Sequence, residues 1–174
     1  MIREEAIKFL SEYQLNTISN SQKMDILLDF WYSYESEPES LNKELVSYLR
    51  TNDFDDIEFY SDFFDPVVLL GLTYRNSILN NKFLAKNISI VQSKEIEVIG
   101  DEINQKVQCP CCYFYTLSSK SNYDVCAICY WEDDGSYEEQ YSAANHNSLS
   151  VYRKNFFLEH DKTKLEEKYI FSNP

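Results

Sequence analysis

The chain has 174 residues, with 29 Asp and Glu against 16 Lys and Arg for a formal net charge of −13, and 44% of it is apolar and 16% aromatic. That composition supports a buried core and excludes a disordered solvating tail, while the charge repels phosphate backbones. No run reaches the roughly 18 consecutive apolar residues of a membrane span, and the opening Met1-Ile2-Arg3-Glu4-Glu5 is acidic where a secretory leader is basic and then apolar, so a cytoplasmic protein is expected.

From residue 4 to about 84 the apolar spacing is helical. Ala6, Phe9, Leu10 and Tyr13 recur at three- and four-residue steps and form one stripe. Met24, Leu27, Leu28, Trp31 and Tyr34 form a second, with Ser19 and Ser21 as candidate N-caps and Pro38 as the breaker. Leu41, Leu45, Tyr48 and Leu49 form a third after Ser40, and Asp65-Pro66 reads as an N-cap with proline at the first helical position of a helix running toward Phe83 and Leu84. Four such helices pack as a small bundle. Ile88, Ile90, Ile96 and Val98 then alternate with polar residues, which predicts short strands. The boundary is placed near Gly100, giving a mainly helical region 1–100 and a cysteine-rich module 101–174 that ends in a helix with the stripe Leu149, Tyr152 and Phe156. Only three glycines occur, which excludes Gly-rich phosphate loops.

The five cysteines lie between 109 and 129, an odd number that argues for metal chemistry over a disulfide framework. Cys109-Pro110-Cys111-Cys112 and Cys126-Ala127-Ile128-Cys129 are two C-x-x-C pairs, each bringing two thiolates to one metal at the tip of a tight turn. The intervening Tyr113 to Val125 reads as strand, turn, strand, so a hairpin brings the pairs together as in a zinc ribbon. The expected ligands of one structural zinc ion (Zn2+) are Cys109, Cys112, Cys126 and Cys129, with Cys111 as a non-ligand thiol. Four cysteine ligands leave no open position for water or substrate, so the ion is expected to stabilise the fold and not to catalyse. The fold class is therefore α+β, a helical N-terminal region with a small C-terminal zinc-ribbon β-hairpin module and terminal helix.

With these residues in view the chain resembles the bacterial cysteine-rich CPCC family. The resemblance runs through Cys109 to Cys112, Cys126 to Cys129 and Tyr130-Trp131-Glu132-Asp133-Asp134-Gly135, then Asn145, Ser148-Leu149 and Arg153-Lys154-Asn155-Phe156. Tyr113 departs from it, standing where a glycine is expected to ease the turn through a positive backbone angle. The resemblance implies a small cytoplasmic zinc-ribbon protein without an assigned activity, some members of the family being associated with gene clusters for bacterial toxins and their neutralising partners.

Catalysis has few candidate groups. Two histidines, His146 and His160, leave His-based chemistry little to work with, His146 reading as a surface or capping residue before the terminal helix, and neither thioredoxin-like βαβ context nor a deaminase His-x-Glu tract is present. Acidic side chains concentrate at Asp53, Asp55, Asp56, Glu58, Asp62 and Asp65, and at Glu132, Asp133, Asp134, Glu138 and Glu139. Such runs read first as solvated faces and secondly as a surface that steers toward a basic protein. The expectation is a non-enzymatic protein-interaction module with a basic protein partner, a toxin or nuclease, and in sharper form an immunity protein. The alternatives are a nucleic-acid-associated zinc ribbon and a thiol redox sensor using Cys111. The first is opposed by charge, since Lys120 is the only Lys or Arg from 109 to 152, so Tyr113, Phe114, Tyr115 and Trp131 are expected to pack and not to stack bases.

Overall fold

The computed structural model describes residues 1–35, 41–57, 59–103 and 105–171. Pro38, Ser40 and Glu58, and the side chain of Tyr34, lie outside the described part. Two compact units are formed, Glu4–Ser77 and Met1–Arg3 with Ile78–Pro174.

The Glu4–Ser77 unit is helical because its stripes and caps agree. Helix α1 is Arg3–Thr17 and α2 is Asn20–Phe30. Ser19 closes a capping box with Gln22, Gln22 N–H donating to the serine Oγ and Ser19 N–H to the glutamine Oε1. Asn42 caps α3, Lys43–Thr51, through the Leu45 N–H. Helix α4 is Asp65–Ser77, and Gly71 lets it approach α2, since a Cβ there would lie 2.6 Å from Ile26 Cγ2. Ile26, Leu27, Trp31, Leu45, Leu49, Phe64, Val67 and Val68 form the buried core. From α4, Asn76 Nδ2 donates to Ser11 Oγ and Gln14 Oε1 of α1. Tyr13 and Leu28, expected on buried stripes, are exposed.

Asp65 does not serve as an N-cap. It already has helical angles, and its carboxylate accepts from the Lys23 ammonium and the Tyr60 hydroxyl; burial, and after it the bond to Asp65, pushes that hydroxyl well above the usual tyrosine range. The helix it opens also stops at Ser77. Beyond it the chain is pinned as Leu79 bridges antiparallel to Tyr169, with Ile170 N–H donating to Ile78 O and Asn80 N–H to Lys168 O. Asn80 then caps a separate helix α5, Asn81–Gln92, through the Phe83 N–H. The alternation predicted as strands at 88–98 is resolved differently. Ile88 and Ile90 lie on α5, where Leu84 and Ile88, four residues apart, are buried and Ile90 is 69% exposed.

In the second unit, β1 (Val107–Gln108) pairs antiparallel with β2 (Tyr115–Leu117), and β3 (Tyr141–Ser142) with β4 (Asn147–Ser148). Helices α6 (Leu149–Glu159) and α7 (Lys162–Lys168) follow. Helices to the N-terminal side and two small hairpins beside the cysteines make the chain α+β. The strand, turn, strand reading of 113–125 is corrected in its pairing, since β2 bonds back across the first cysteine turn to β1 and not forward to 123–125. Residues 118–124 form a loop tied by the Asp124 carboxylate, which accepts the Ser118 and Ser119 N–H groups at 2.8 and 2.9 Å. Arg3 is buried here, its guanidinium donating to Leu79 O and Asn81 Oδ1.

Candidate metal centre

The two C-x-x-C segments fold as near copies. Tyr113 N–H donates to Cys109 O at 3.0 Å and Tyr130 N–H to Cys126 O at 2.9 Å. Cys109 N–H donates to Phe114 O, and Cys126 N–H to Trp131 O, both at 2.9 Å. Each turn therefore reads Cys-x-x-Cys-Tyr-aromatic, with the tyrosine turning the chain through positive φ (67° and 60°) and the next aromatic buried. The positive angle expected at Tyr113 is present, carried by a tyrosine.

Two such turns face each other. The sulfurs of Cys109, Cys112, Cys126 and Cys129 all lie within 4.8 Å of one another and are buried. Cys109 and Cys129 are 3.7 Å apart and Cys112 and Cys126 3.6 Å. A tetrahedral ion with metal–sulfur bonds of about 2.3 Å needs sulfurs about 3.8 Å apart, so the four residues fit a metal of that size. Donors already point at one sulfur: Thr116 Oγ1 donates to Cys126 Sγ at 3.1 Å and Ile128 N–H at 3.4 Å.

Electrostatics agrees. The hydrogen bond with Cys109 holds Cys112 far above the ordinary thiol value, with Cys126, Cys129 and burial adding to it. Cys126 is held far below, because Cys109, Cys112 and Cys129 all donate toward it. By itself the cluster favours one thiolate; ionising all four sulfurs in this buried space needs a cation among them.

Cys111 is also fully buried but stands outside the cluster of four. Its carbonyl accepts Arg153 Nε at 3.0 Å, while Arg153 Nη2 reaches Pro110 O at 2.7 Å. The same guanidinium forms a two-pronged pair with Glu138 and lies 4.8 Å from the Tyr113 ring centroid. From α6, Tyr152 packs edge-on against Trp131 and donates its hydroxyl to Cys129 O at 2.9 Å. One helix thus steadies both cysteine turns.

The acidic run at 132–139 is not simply a solvated face. Asp133 is buried and accepts the Ser121 N–H, and the Glu132 backbone is clamped by the Asn145 amide at 2.8 Å in both directions. Burial pushes the Asp134 carboxyl up, but bonds from Ser142 and Ser136 outweigh it and hold the group below the ordinary carboxylate range. With Glu138 on Arg153, the segment mainly serves the module's own structure. His146 is exposed, and His160 is exposed and stacked on Phe156.

Tyr130→Gly gives a test of the turn. A non-glycine residue at this angle costs about 1 kcal/mol, and Tyr130 is 71% exposed. The substitution is expected to stabilise the module by up to about 1 kcal/mol in denaturant unfolding, whereas Tyr113→Gly gains less because it loses the Arg153 contact. A clear loss of stability in Tyr130→Gly would contradict strain at this position.

Four converging cysteines on paired turns, braced by one helix, define a cysteine-rich module positioned for metal binding. Residues 107–160 match the family model described as Cysteine-rich CPCC. No curated protein and no solved structure matches the chain. Among the described residues, no helix is long and apolar enough to cross a membrane.

Proposed function

We propose that Cys109, Cys112, Cys126 and Cys129 hold one structural zinc ion and that the chain is a protein-interaction module, not an enzyme, whose partner is a basic protein. The observation that carries the zinc reading is the set of four buried sulfurs at tetrahedral spacing. All four positions are cysteines, whose thiolates on the ion suit zinc and leave no place for a reacting water. The partner reading rests on the Glu4–Ser77 unit, where Asp53, Asp55, Asp56 and Asp62 are exposed and Phe59 is 75% exposed. An exposed aromatic flanked by like charges suits an anchor with electrostatic steering toward a basic surface. Neutralisation of a basic toxin is the sharper form of this reading.

The redox-sensor alternative is disfavoured by the burial of Cys111, which keeps its thiol from solvent oxidants. The test is native mass spectrometry of the chain purified from its own host. A co-purified basic protein is expected, and its association rate with Asp53→Asn, Asp55→Asn, Asp56→Asn protein should fall about tenfold at low salt. Co-purification with nucleic acid, or an unchanged rate, would overturn the reading.

A further inference from the structure

A cleft of about 800 Å³ opens beside α5 and α7, within the range of small-ligand sites. Its lining departs from the charge of the rest of the chain. Lys82 and Lys86 stand four residues apart on α5, and Lys164 and Lys168 four apart on α7, and all four line this one cleft. Like charges at that spacing repel along a helix, and here two such pairs face a common space. Among the described residues, no carboxylate lies within ion-pair distance of these lysines. Glu102 accepts the Asn81 N–H at the start of α5, and Glu166 pairs with Lys162; Glu167 is the third acid of the lining.

The apolar wall is formed by Phe83, Tyr169 and Phe171, and the Lys168 ammonium lies 4.8 Å from the Tyr169 ring centroid. The cleft is built in advance. Asn80 caps α5 with its carbonyl oxygen while its Nδ2 donates to Glu166 O, Glu167 O and Tyr169 O at the end of α7, so one side chain fixes both helices.

We propose that this cleft binds a small phosphorylated organic molecule, the lysines taking the phosphates and the Phe83 and Tyr169 wall taking the organic part. Small size follows from charge. A compact anion feels mainly the potential within a Debye length of about 8 Å, whereas an extended polyanion meets the whole acidic surface. Pyrophosphate and ADP are the probes, titrated into the full metal-loaded chain and followed by amide chemical shifts. Saturable shifts on α5 and α7 are expected, with ADP binding about tenfold tighter than pyrophosphate because of the apolar wall. Lys86→Gln with Lys164→Gln should weaken ADP at least about tenfold, while Lys120→Gln, an exposed lysine outside the cleft, should not. Three results would each overturn the proposal: no saturable shifts up to about 1 mM ADP, equal affinity for the two probes, or binding that survives the double substitution. A single-stranded oligonucleotide binding more tightly than ADP would overturn the small-ligand assignment.

Discussion

Cys126→Ser protein is expected to lose its metal and, with it, the folded state of the cysteine-rich module. The sulfur removed is the one toward which Thr116 and Ile128 donate and the one most readily ionised. Structural zinc contributes about 10–16 kcal/mol in small modules, as much as the whole stability of an ordinary domain at about 5–15 kcal/mol. The paired strands are only two and three residues long, too short to hold the module by themselves. The two tryptophans allow the units to be followed separately: Trp131 packs in the cysteine core and Trp31 in the helical core, both 1% exposed. With Trp31→Phe as background, Cys126→Ser should red-shift the Trp131 emission to that of a solvated indole. With Trp131→Phe as background, the Trp31 emission should stay unchanged, because the buried residues clustered with Trp31 among the described ones run from Ile26 to Leu72. A Trp131 emission that stays blue in Cys126→Ser protein would show that the module folds without its ligand.

Trp131→Ala should destabilise the metal-loaded module by about 3–5 kcal/mol, the range for truncating a large buried aromatic. Trp131 fills the space beneath the second cysteine turn, and its backbone carbonyl accepts the Cys126 N–H. Removing the indole also deprives Tyr152 of its edge-on partner, so the hydroxyl bond to Cys129 O loses its support. Tyr137→Ala is the control: at 80% exposure it should change stability by less than about 0.5 kcal/mol. Denaturant midpoints at saturating metal measure both, and a Trp131→Ala effect below about 1 kcal/mol would remove the indole from the core of the account.

What was legible in the sequence follows from the range of each interaction. The cysteine pairs could be read because a C-x-x-C turn is local, and Ser19 as a candidate N-cap because a cap is made within one turn of its helix; its partner Gln22 was seen only in the structure. The pairing of β2 was misread because 113–117 and 123–125 are separated by a loop that suits a hairpin. The decisive contact lies on the other side, where the turn at Cys109 returns the chain onto Val107. Ile88 and Ile90 alternate like a strand, yet Leu84 and Ile88 share a helix face, and two isoleucines two apart do not separate the patterns. The break after Ser77 depends on 168–170, which no local pattern announces. For the same reason the acidic run at 132–134 read as solvated, since its bonds to Ser121, Ser142 and Asn145 are made at a distance in sequence. Arg153 stood in the sequence only as part of a family resemblance; that it holds the Pro110 and Cys111 carbonyls is visible only once α6 is packed.

The most direct measurement of the central claim is the metal count per chain by native mass spectrometry, made on the unmodified protein and on Cys111→Ser and Cys112→Ser proteins together. The account predicts one zinc in the unmodified chain, one in Cys111→Ser and none in Cys112→Ser, because only the second removes a sulfur from the cluster of four. A chain without zinc, or a Cys111→Ser protein that loses it while Cys112→Ser keeps it, would contradict the assignment of the ligands.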